Sequence, residues 1–99
     1  MNEINDTEFK TVINGRSTVV LFGGDHCAAC KAVEPVVGST CALYKVPFYK
    51  MDVGGSTVAM EYSIRALPTL ILFKDGKETE RLIGAFKRQQ LLNVLFKTV

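Results

Sequence analysis

The sequence contains few of the residues that metal sites and membrane spans require. Its 99 residues include no tryptophan, one histidine and three cysteines, and only two of those cysteines share a ligand spacing. A structural zinc site needs four ligands, so we expect no metal here. The longest nearly pure apolar run, residues 70–73, is far too short to span a bilayer, and we expect no association with a membrane.

The chain also carries little net charge, and its first residues do not resemble an export signal. Its formal net charge is +2, and its basic residues are scattered, with no block longer than Lys87–Arg88. Nucleic-acid-binding proteins concentrate such residues on one face or stripe, so we expect no nucleic-acid partner. Residues 1–6 are polar and acidic, unlike a secretory signal. We therefore expect a cytoplasmic protein in a reducing environment, where nearby cysteines are more often catalytic or metal-binding than structural.

What remains is an ordinary globular composition, with 47% hydrophobic and 22% charged residues. This composition and length predict one domain over residues 1–99. Apolar periodicity, capping residues and turn signals predict the element order α-β-α-β-α-β-β-α. The first helix opens at a capping box, Asn5–Glu8, and the hairpin turns at Asp75–Gly76. The predicted strands are residues 17–22, 47–52, 69–73 and 78–83, and the predicted helices begin near residues 5, 28, 56 and 87.

Cys27 and Cys30 stand between the first predicted strand and the second predicted helix. Their positions place Cys27 at the helix N-terminus and Cys30 one turn inside. The first-turn N–H groups of a helix have no intrahelical partners, and the macrodipole adds roughly half a positive charge there. Both effects stabilise a thiolate at Cys27, which is the form that attacks a disulfide. This combination of strand, cysteine spacing and helix N-terminus indicates a dithiol redox site.

The third cysteine and the single histidine are less informative. Cys41 lies in the same predicted helix as Cys30, but the rise between them is about 16 Å, whereas a disulfide needs Cα atoms about 5.5 Å apart. We therefore predict that Cys41 is a buried core thiol. His26 immediately precedes Cys27. It either acts on the Cys27 thiolate, as a cation or as a general base, or merely occupies the exposed rim.

The order of elements and four motifs resemble the thioredoxin family over nearly the whole chain from about Asp6. The motifs are Cys27–Lys31 followed by Pro35, the segment Ile64–Leu70, the turn Phe73–Lys77, and Gly84–Ala85 before the last helix. The resemblance implies a thioredoxin fold of the α/β class. Its four-stranded mixed sheet would be flanked by helices on both faces, with the first strand of the family missing or shortened. It also implies a cis peptide bond between Leu67 and Pro68.

By the same resemblance, the protein is expected to be an enzyme that reduces protein disulfides by dithiol–disulfide exchange. Cys27 would attack the substrate disulfide and Cys30 would then release the substrate, with no bound cofactor. The residues expected to contact the substrate are His26, Ala28, Ala29, Leu67, Pro68 and Ala85. Electrons would come from an external partner, either a thioredoxin reductase or a glutathione system, and the protein would act as a monomer.

Several positions depart from the family pattern. His26 stands where the family usually has a tryptophan before the first cysteine, and Gly23 stands at a second position that is usually tryptophan. Ala28–Ala29 replaces the usual Gly-Pro pair between the cysteines. The buried aspartate of the preceding strand falls on Leu21, and its lysine partner falls on Phe48. These two changes agree physically, because an apolar pair often replaces a buried ion pair at no cost in stability. They leave the proton acceptor for Cys30 unassigned.

Two other functions remain compatible with these residues. One is a glutaredoxin-like oxidoreductase that depends on glutathione, although that family usually carries Thr-Val-Pro and Gly-Gly where this chain has Ala66–Pro68 and Ile83–Ala85. The other is a non-catalytic binding module that lends the fold to a larger assembly. Replacement of both Cys27 and Cys30 by serine separates the enzyme from the module, because a module would keep its cellular role.

Overall fold

The computed structural model describes residues 2–97, which form five strands and four helices. In chain order these are β1 (Asn2–Glu3), α1 (Asp6–Ile13), β2 (Thr18–Gly23), α2 (Ala28–Leu43), β3 (Phe48–Asp52), α3 (Thr57–Glu61), β4 (Thr69–Lys74), β5 (Lys77–Ile83) and α4 (Arg88–Lys97). The strands form one sheet in the order β1-β3-β2-β4-β5. The first three strands in that order run parallel, and β4 is antiparallel to both β2 and β5. The sheet is therefore mixed, as predicted.

The predicted count of four strands is wrong, because a short first strand is present. It consists of Asn2 and Glu3, which pair with Tyr49 and Lys50 of β3 at the edge of the sheet. Both residues are polar and exposed, so they show neither the apolar run nor the alternation by which a strand is recognised in a sequence. The first strand of the family is thus shortened rather than missing. The other elements lie within a residue or two of their predicted bounds.

Capping side chains explain where two of the helices begin. Asn5 Oδ1 accepts a hydrogen bond from the Glu8 N–H at 2.9 Å, and Glu8 Oε1 accepts one from the Asn5 N–H at 3.0 Å. This is the predicted capping box of α1. Ser56 caps α3, because its Oγ accepts a hydrogen bond from the Ala59 N–H at 3.0 Å. Each cap satisfies N–H groups that have no partner within the helix.

Strand β2 is buried on both faces, as its continuous apolar run predicts. Val19 and Leu21 pack with α2 and α4, whereas Val20 and Phe22 pack with α1 and α3. Helices therefore cover both faces of the sheet. The layer on the α2 side includes Cys41, which is free and fully buried, as predicted. No helix within residues 2–97 combines the length and the hydropathy needed to cross a membrane.

The register of the strands brings separate segments to one end of the sheet. Phe22, near the end of β2, pairs with Thr69 at the start of β4, and Thr69 pairs in turn with Ile83 at the end of β5. The loop from β2 to Cys27 therefore lies near both the segment that precedes β4 and the segment that follows β5. These segments, together with the first turn of α2, hold the site residues predicted from the sequence.

Candidate active site

A disulfide joins Cys27 and Cys30 at the N-terminus of α2, with the two Cα atoms 5.2 Å apart. Cys27 is the N-cap residue and is partly exposed. Cys30 lies in the first turn, and only 4% of its surface is exposed. The placement predicted from the cysteine positions is therefore confirmed. The difference in exposure means that a protein disulfide can approach Cys27 more readily than Cys30.

The Cys27 sulfur lies at the N-terminus of α2, which is the positive end of the helix dipole. It accepts a hydrogen bond from the Cys30 backbone N–H at 3.1 Å, and the helix behind it is 16 residues long. Hydrogen bonds to an ionised acceptor are stronger than those to a neutral one, and the helix dipole favours negative charge at this end. The arrangement therefore stabilises Cys27 as a thiolate once the disulfide is opened.

The Leu67–Pro68 segment lies next to the loop that leads to the cysteines. Its peptide bond is cis, the isomer that the sequence motif predicts. The Leu67 side chain packs at Gly24, where an added Cβ would meet Leu67 Cδ1 at 3.5 Å. The Gly84 N–H donates a hydrogen bond to the Pro68 carbonyl at 2.7 Å, which keeps Ala85 close to the proline. The structure thus brings the two distant segments to the cysteine pair.

The predicted substrate-contacting residues differ in the surface they offer. His26, Ala28 and Ala85 are exposed, Ala29 and Leu67 are partly exposed, and Pro68 is buried. A substrate would therefore meet the alanines and the Leu67 backbone more than the proline ring. His26 is exposed in the loop directly before Cys27.

The sequence patterns do not single out Ile83, which the structure places at the same end of the sheet. Ile83 is 66% exposed, and it pairs with Thr69, the residue after Pro68. The signal for it is weak, because Ile83 follows Leu82 at the end of a strand that is otherwise polar and looks like a continuation of its apolar side. Exposed apolar residues matter mainly where they adjoin other apolar surface, and the strand register places Leu67 and Ala85 at the same end of the sheet as Ile83.

A cleft of about 170 Å³ opens beside Cys30, between α2, β3 and the loop after β2. Its charged lining residues are Glu3, Asp25, Lys31, Glu34, Lys50 and Asp52. Two of them form an ion pair, with Lys50 Nζ 3.4 Å from Glu34 Oε1. The cleft also reaches Leu21, which is 2% exposed. The sequence does not reveal this cleft, because its residues come from four separate parts of the chain.

Cys41 shows what burial does to a thiol elsewhere on the same helix. Its surroundings are apolar side chains of α4 and the sheet. Burial raises the pKa of Cys41 to about 12, so that thiol stays protonated and unreactive near neutral pH. In residues 2–97, no group of three or more histidine, cysteine, aspartate or glutamate side chains is placed to hold a metal ion.

Comparisons with known proteins agree with this site. The family described as "Thioredoxin" matches residues 1–97. A protein named thioredoxin from Malassezia sympodialis is 41% identical over 83 residues, which is 79% of this chain and 79% of that protein. A thioredoxin from Chlamydia trachomatis is 34% identical over 96 residues, covering 95% and 94% of the two chains. The oxidised form of mitochondrial thioredoxin 3 from Saccharomyces cerevisiae superposes with a TM-score of 0.87 at 31% identity, covering 100% of this chain and 95% of that one.

Proposed function

This chain belongs to the thioredoxin family, and we propose that Cys27 and Cys30 carry out the dithiol–disulfide exchange by which it reduces protein disulfides. One observation carries the proposal: the disulfide between these residues lies at the N-terminus of α2, with the Cys27 sulfur hydrogen-bonded to a first-turn N–H. The same helix end that holds the disulfide favours the thiolate needed to open another one.

The exchange proceeds in two steps. The Cys27 thiolate attacks one sulfur of a substrate disulfide, and the other substrate sulfur leaves as a thiolate. Cys27 and the substrate are then joined by a mixed disulfide. The Cys30 thiolate attacks Cys27 Sγ, so that the Cys27–Cys30 bond forms and the second substrate sulfur leaves. Two electrons pass from the cysteine pair to the substrate, and the released thiolates take up protons from water.

Limiting alkylation tests the order of attack. The reduced protein is treated with a substoichiometric amount of iodoacetamide near neutral pH, and the adducts are mapped by mass spectrometry. We expect the label on Cys27, because that residue is partly exposed and lies at the helix N-terminus. Cys41 is an internal control, since a fully buried thiol should stay unlabelled in the folded protein. Preferential labelling of Cys30, or of neither active-site cysteine, would contradict the assignment.

The substrate surface is proposed to surround the disulfide. An extended substrate segment would lie along the Leu67 backbone and contact His26, Ala28, Ala29, Pro68, Ala85 and, in addition, Ile83. Support comes from the exposure of most of these side chains and from the strand register that brings them together. Apolar contact with exposed side chains fits recognition of unfolded or extended protein segments better than recognition of a small charged thiol.

A matched pair of substitutions tests this surface. Ile83→Lys should raise the KM for a protein disulfide severalfold and leave the reaction with a small aromatic disulfide unchanged. Met60→Lys is the control, because Met60 is equally an exposed apolar residue, at 78% exposure, but lies on α3. Equal effects of the two substitutions would remove Ile83 from the substrate surface.

Electrons are proposed to come from a thioredoxin reductase rather than from glutathione. The Ala66–Pro68 and Ile83–Ala85 segments favour this choice, because they lack the Thr-Val-Pro and Gly-Gly patterns typical of glutaredoxins. Reduction of insulin disulfides is measured in two parallel reactions, one with NADPH and a thioredoxin reductase and one with glutathione. Faster turnover with glutathione would support the glutaredoxin-like alternative.

The remaining parts of the proposal concern the working state of the protein. It acts without a bound cofactor, as a monomer, and in the cytoplasm. The first two are supported by the chemistry of the exchange, which needs only the sulfurs of Cys27 and Cys30. The proposed compartment is supported by the use of two closely spaced thiols for catalysis, which suits a reducing environment. Activity of the purified apoprotein, gel filtration and cell fractionation test the three statements separately.

A further inference from the structure

The cleft beside Cys30 lies apart from the proposed substrate surface. Its walls are formed by α2, β3, β1 and the loop after β2, and neither Leu67 nor Ala85 lines it. Cys30 does line it, although only 4% of that residue is exposed. The cleft is therefore a polar route between bulk water and the buried sulfur of the pair.

The exchange reaction requires a proton acceptor near Cys30. Cys30 must lose its thiol proton before it can attack Cys27 Sγ. Cys27 cannot accept that proton during this step, because its sulfur is already bonded to the substrate. Leu21 lines the cleft together with Cys30, and its side chain has no polar atom that could accept a proton. The acceptor must therefore be water or a carboxylate that water in the cleft can reach.

Four carboxylates line the cleft, and they differ in position. Asp25 is exposed in the loop, Glu3 is exposed on β1, and Asp52 is exposed with its Oδ1 accepting a hydrogen bond from the Gly54 N–H at 2.8 Å. Glu34 is partly buried on α2 itself, four residues after Cys30. Residues at that spacing are neighbours on one helix face. Glu34 is thus the carboxylate best placed to serve the sulfur.

Lys50 fixes where the Glu34 carboxylate lies. Its Nζ is 3.4 Å from Glu34 Oε1, and the two side chains are 35% and 33% exposed. Lys50 itself is held by the register of β3, in which it pairs with Leu21 of β2. The ion pair therefore joins α2 to β3 across the cleft. A volume of about 170 Å³ with charged walls is large enough for several bridging waters.

We propose that Glu34 accepts, through water in the cleft, the proton that Cys30 releases, and that Lys50 is the positioning residue for its carboxylate. The inference rests on the proposed roles of Cys27 and Cys30. In the balanced step, the Cys30 S–H proton moves to Glu34, the Cys30 thiolate attacks Cys27 Sγ, and the bond between Cys27 and the substrate breaks. The substrate sulfur leaves with the bonding electron pair, and Glu34 returns its proton to solvent.

Single-turnover kinetics with a coloured leaving group separates the two chemical steps. Reduced protein is mixed with one equivalent of bis-nitrobenzoate disulfide, and release of each coloured thiolate is followed by absorbance. The first phase reports attack by Cys27, and the second reports attack by Cys30. Cys41 does not contribute, since it is fully buried. The measurement is repeated over a range of pH with the parent protein, Glu34→Gln, Glu34→Asp and Lys50→Met.

Glu34→Gln should leave the first phase unchanged and slow the second by about 10- to 100-fold near neutral pH. This is at or below the usual contribution of a positioned base, because water in the cleft can still accept the proton. The deficit should shrink as the pH rises, because hydroxide then removes the proton directly. Glu34→Asp should restore part of the rate, and Lys50→Met should slow the second phase by a smaller factor. The groups that also face Cys30 across the cleft are Glu3, Asp25, Lys31 and Asp52, and they are retained in all variants.

Glu61→Gln, which alters an exposed glutamate on α3, is the control and should behave as the parent. A parental second phase and pH profile in Glu34→Gln would overturn the role of Glu34. Equal slowing of both phases would also overturn it, because that result indicates a structural effect on the whole site. Release of only one coloured thiolate per molecule of the parent protein would contradict the proposed function itself, and this inference with it.

Discussion

The N-termini of α2 and α3 are capped in the same way by different atoms. In α2, Cys27 Sγ accepts a hydrogen bond from the Cys30 N–H at 3.1 Å. In α3, Ser56 Oγ accepts one from the Ala59 N–H at 3.0 Å. In both cases the acceptor bonds to the N–H three residues further on, which is the usual geometry of an N-cap. The two helices therefore share the same capping hydrogen bond to a first-turn N–H group.

The surroundings of the capping atom differ between the two helices. Ser56 is 7% exposed, and its hydroxyl donates to Asp6 Oδ1 at 2.6 Å. The other oxygen of Asp6 accepts hydrogen bonds from the Thr57 N–H and hydroxyl, at 2.8 and 2.9 Å. Cys27 is partly exposed at the edge of a proposed substrate surface. A helix N-terminus becomes a reactive site here only where the capping atom is a sulfur that a second molecule can reach.

Cys27→Ser should separate chemistry from capping most completely. The disulfide-reducing activity should fall to the level of the reaction without enzyme, because no thiolate remains to attack. The stability of the variant should stay within about 0.5 kcal/mol of that of the reduced parent, since serine is itself a favoured N-cap residue. Urea unfolding under reducing conditions and insulin reduction measure the two quantities. A large loss of stability would mean that the sulfur contributes more to the fold than its capping hydrogen bond indicates.

Ser56→Ala is the reciprocal change and should affect stability alone. It removes the cap of α3 and one hydrogen bond to Asp6, and we expect a loss of about 2 kcal/mol in the free energy of unfolding. Activity well below the unfolding transition should remain at the parental value. Ser39→Ala, at an exposed position on α2, should cost much less. Lost activity in folded Ser56→Ala protein would show that the two helix ends are coupled.

These two caps also show what the sequence can and cannot predict. Cys27 and Ser56 are recognisable from their neighbours, because capping residues and cysteine spacing are local signals. The pair formed by Glu34 and Lys50 is not, because the two lie 16 residues apart on different elements and each has the pattern of an ordinary solvated charge. The short strand β1 is hidden for a similar reason, since its only signal is its pairing with β3.

Asp6→Asn should change the pH dependence of the free energy of unfolding, through the contacts of Asp6 with the N-terminus of α3. The hydrogen bond from Ser56, with others from Thr57, lowers the pKa of Asp6 from its ordinary value of 3.8, although desolvation opposes them. A lowered pKa in the folded state stabilises the protein at pH above the ordinary value, and that stabilisation is lost as the pH falls through the folded pKa. The parent should therefore exceed Asp6→Asn in stability at neutral pH, and the difference should begin to shrink at about pH 4 and disappear as the pH falls through the lowered pKa of Asp6. Urea midpoints across the pH range test this, and a difference independent of pH would contradict it.

Gly23→Ala should produce the smallest effect of these substitutions. It tests whether the Cys30 sulfur is fixed in the disulfide but free to move in the dithiol. A Cβ at Gly23 would lie 3.2 Å from Cys30 Sγ, whereas a Cβ at Gly24 would meet Leu67 Cδ1 at an ordinary 3.5 Å. In the dithiol form, Cys30 can rotate away from the added methyl group, but in the disulfide its sulfur is bonded to Cys27. The substitution therefore destabilises the oxidised form more than the reduced one. A difference of about 0.7 kcal/mol would raise the reduction potential by roughly 15 mV.

Equilibration with dithiothreitol buffers measures this potential. Gly24→Ala is the control, and its potential should stay near the parental value. An unchanged or lower potential in Gly23→Ala would show that Cys30 is not confined at this point.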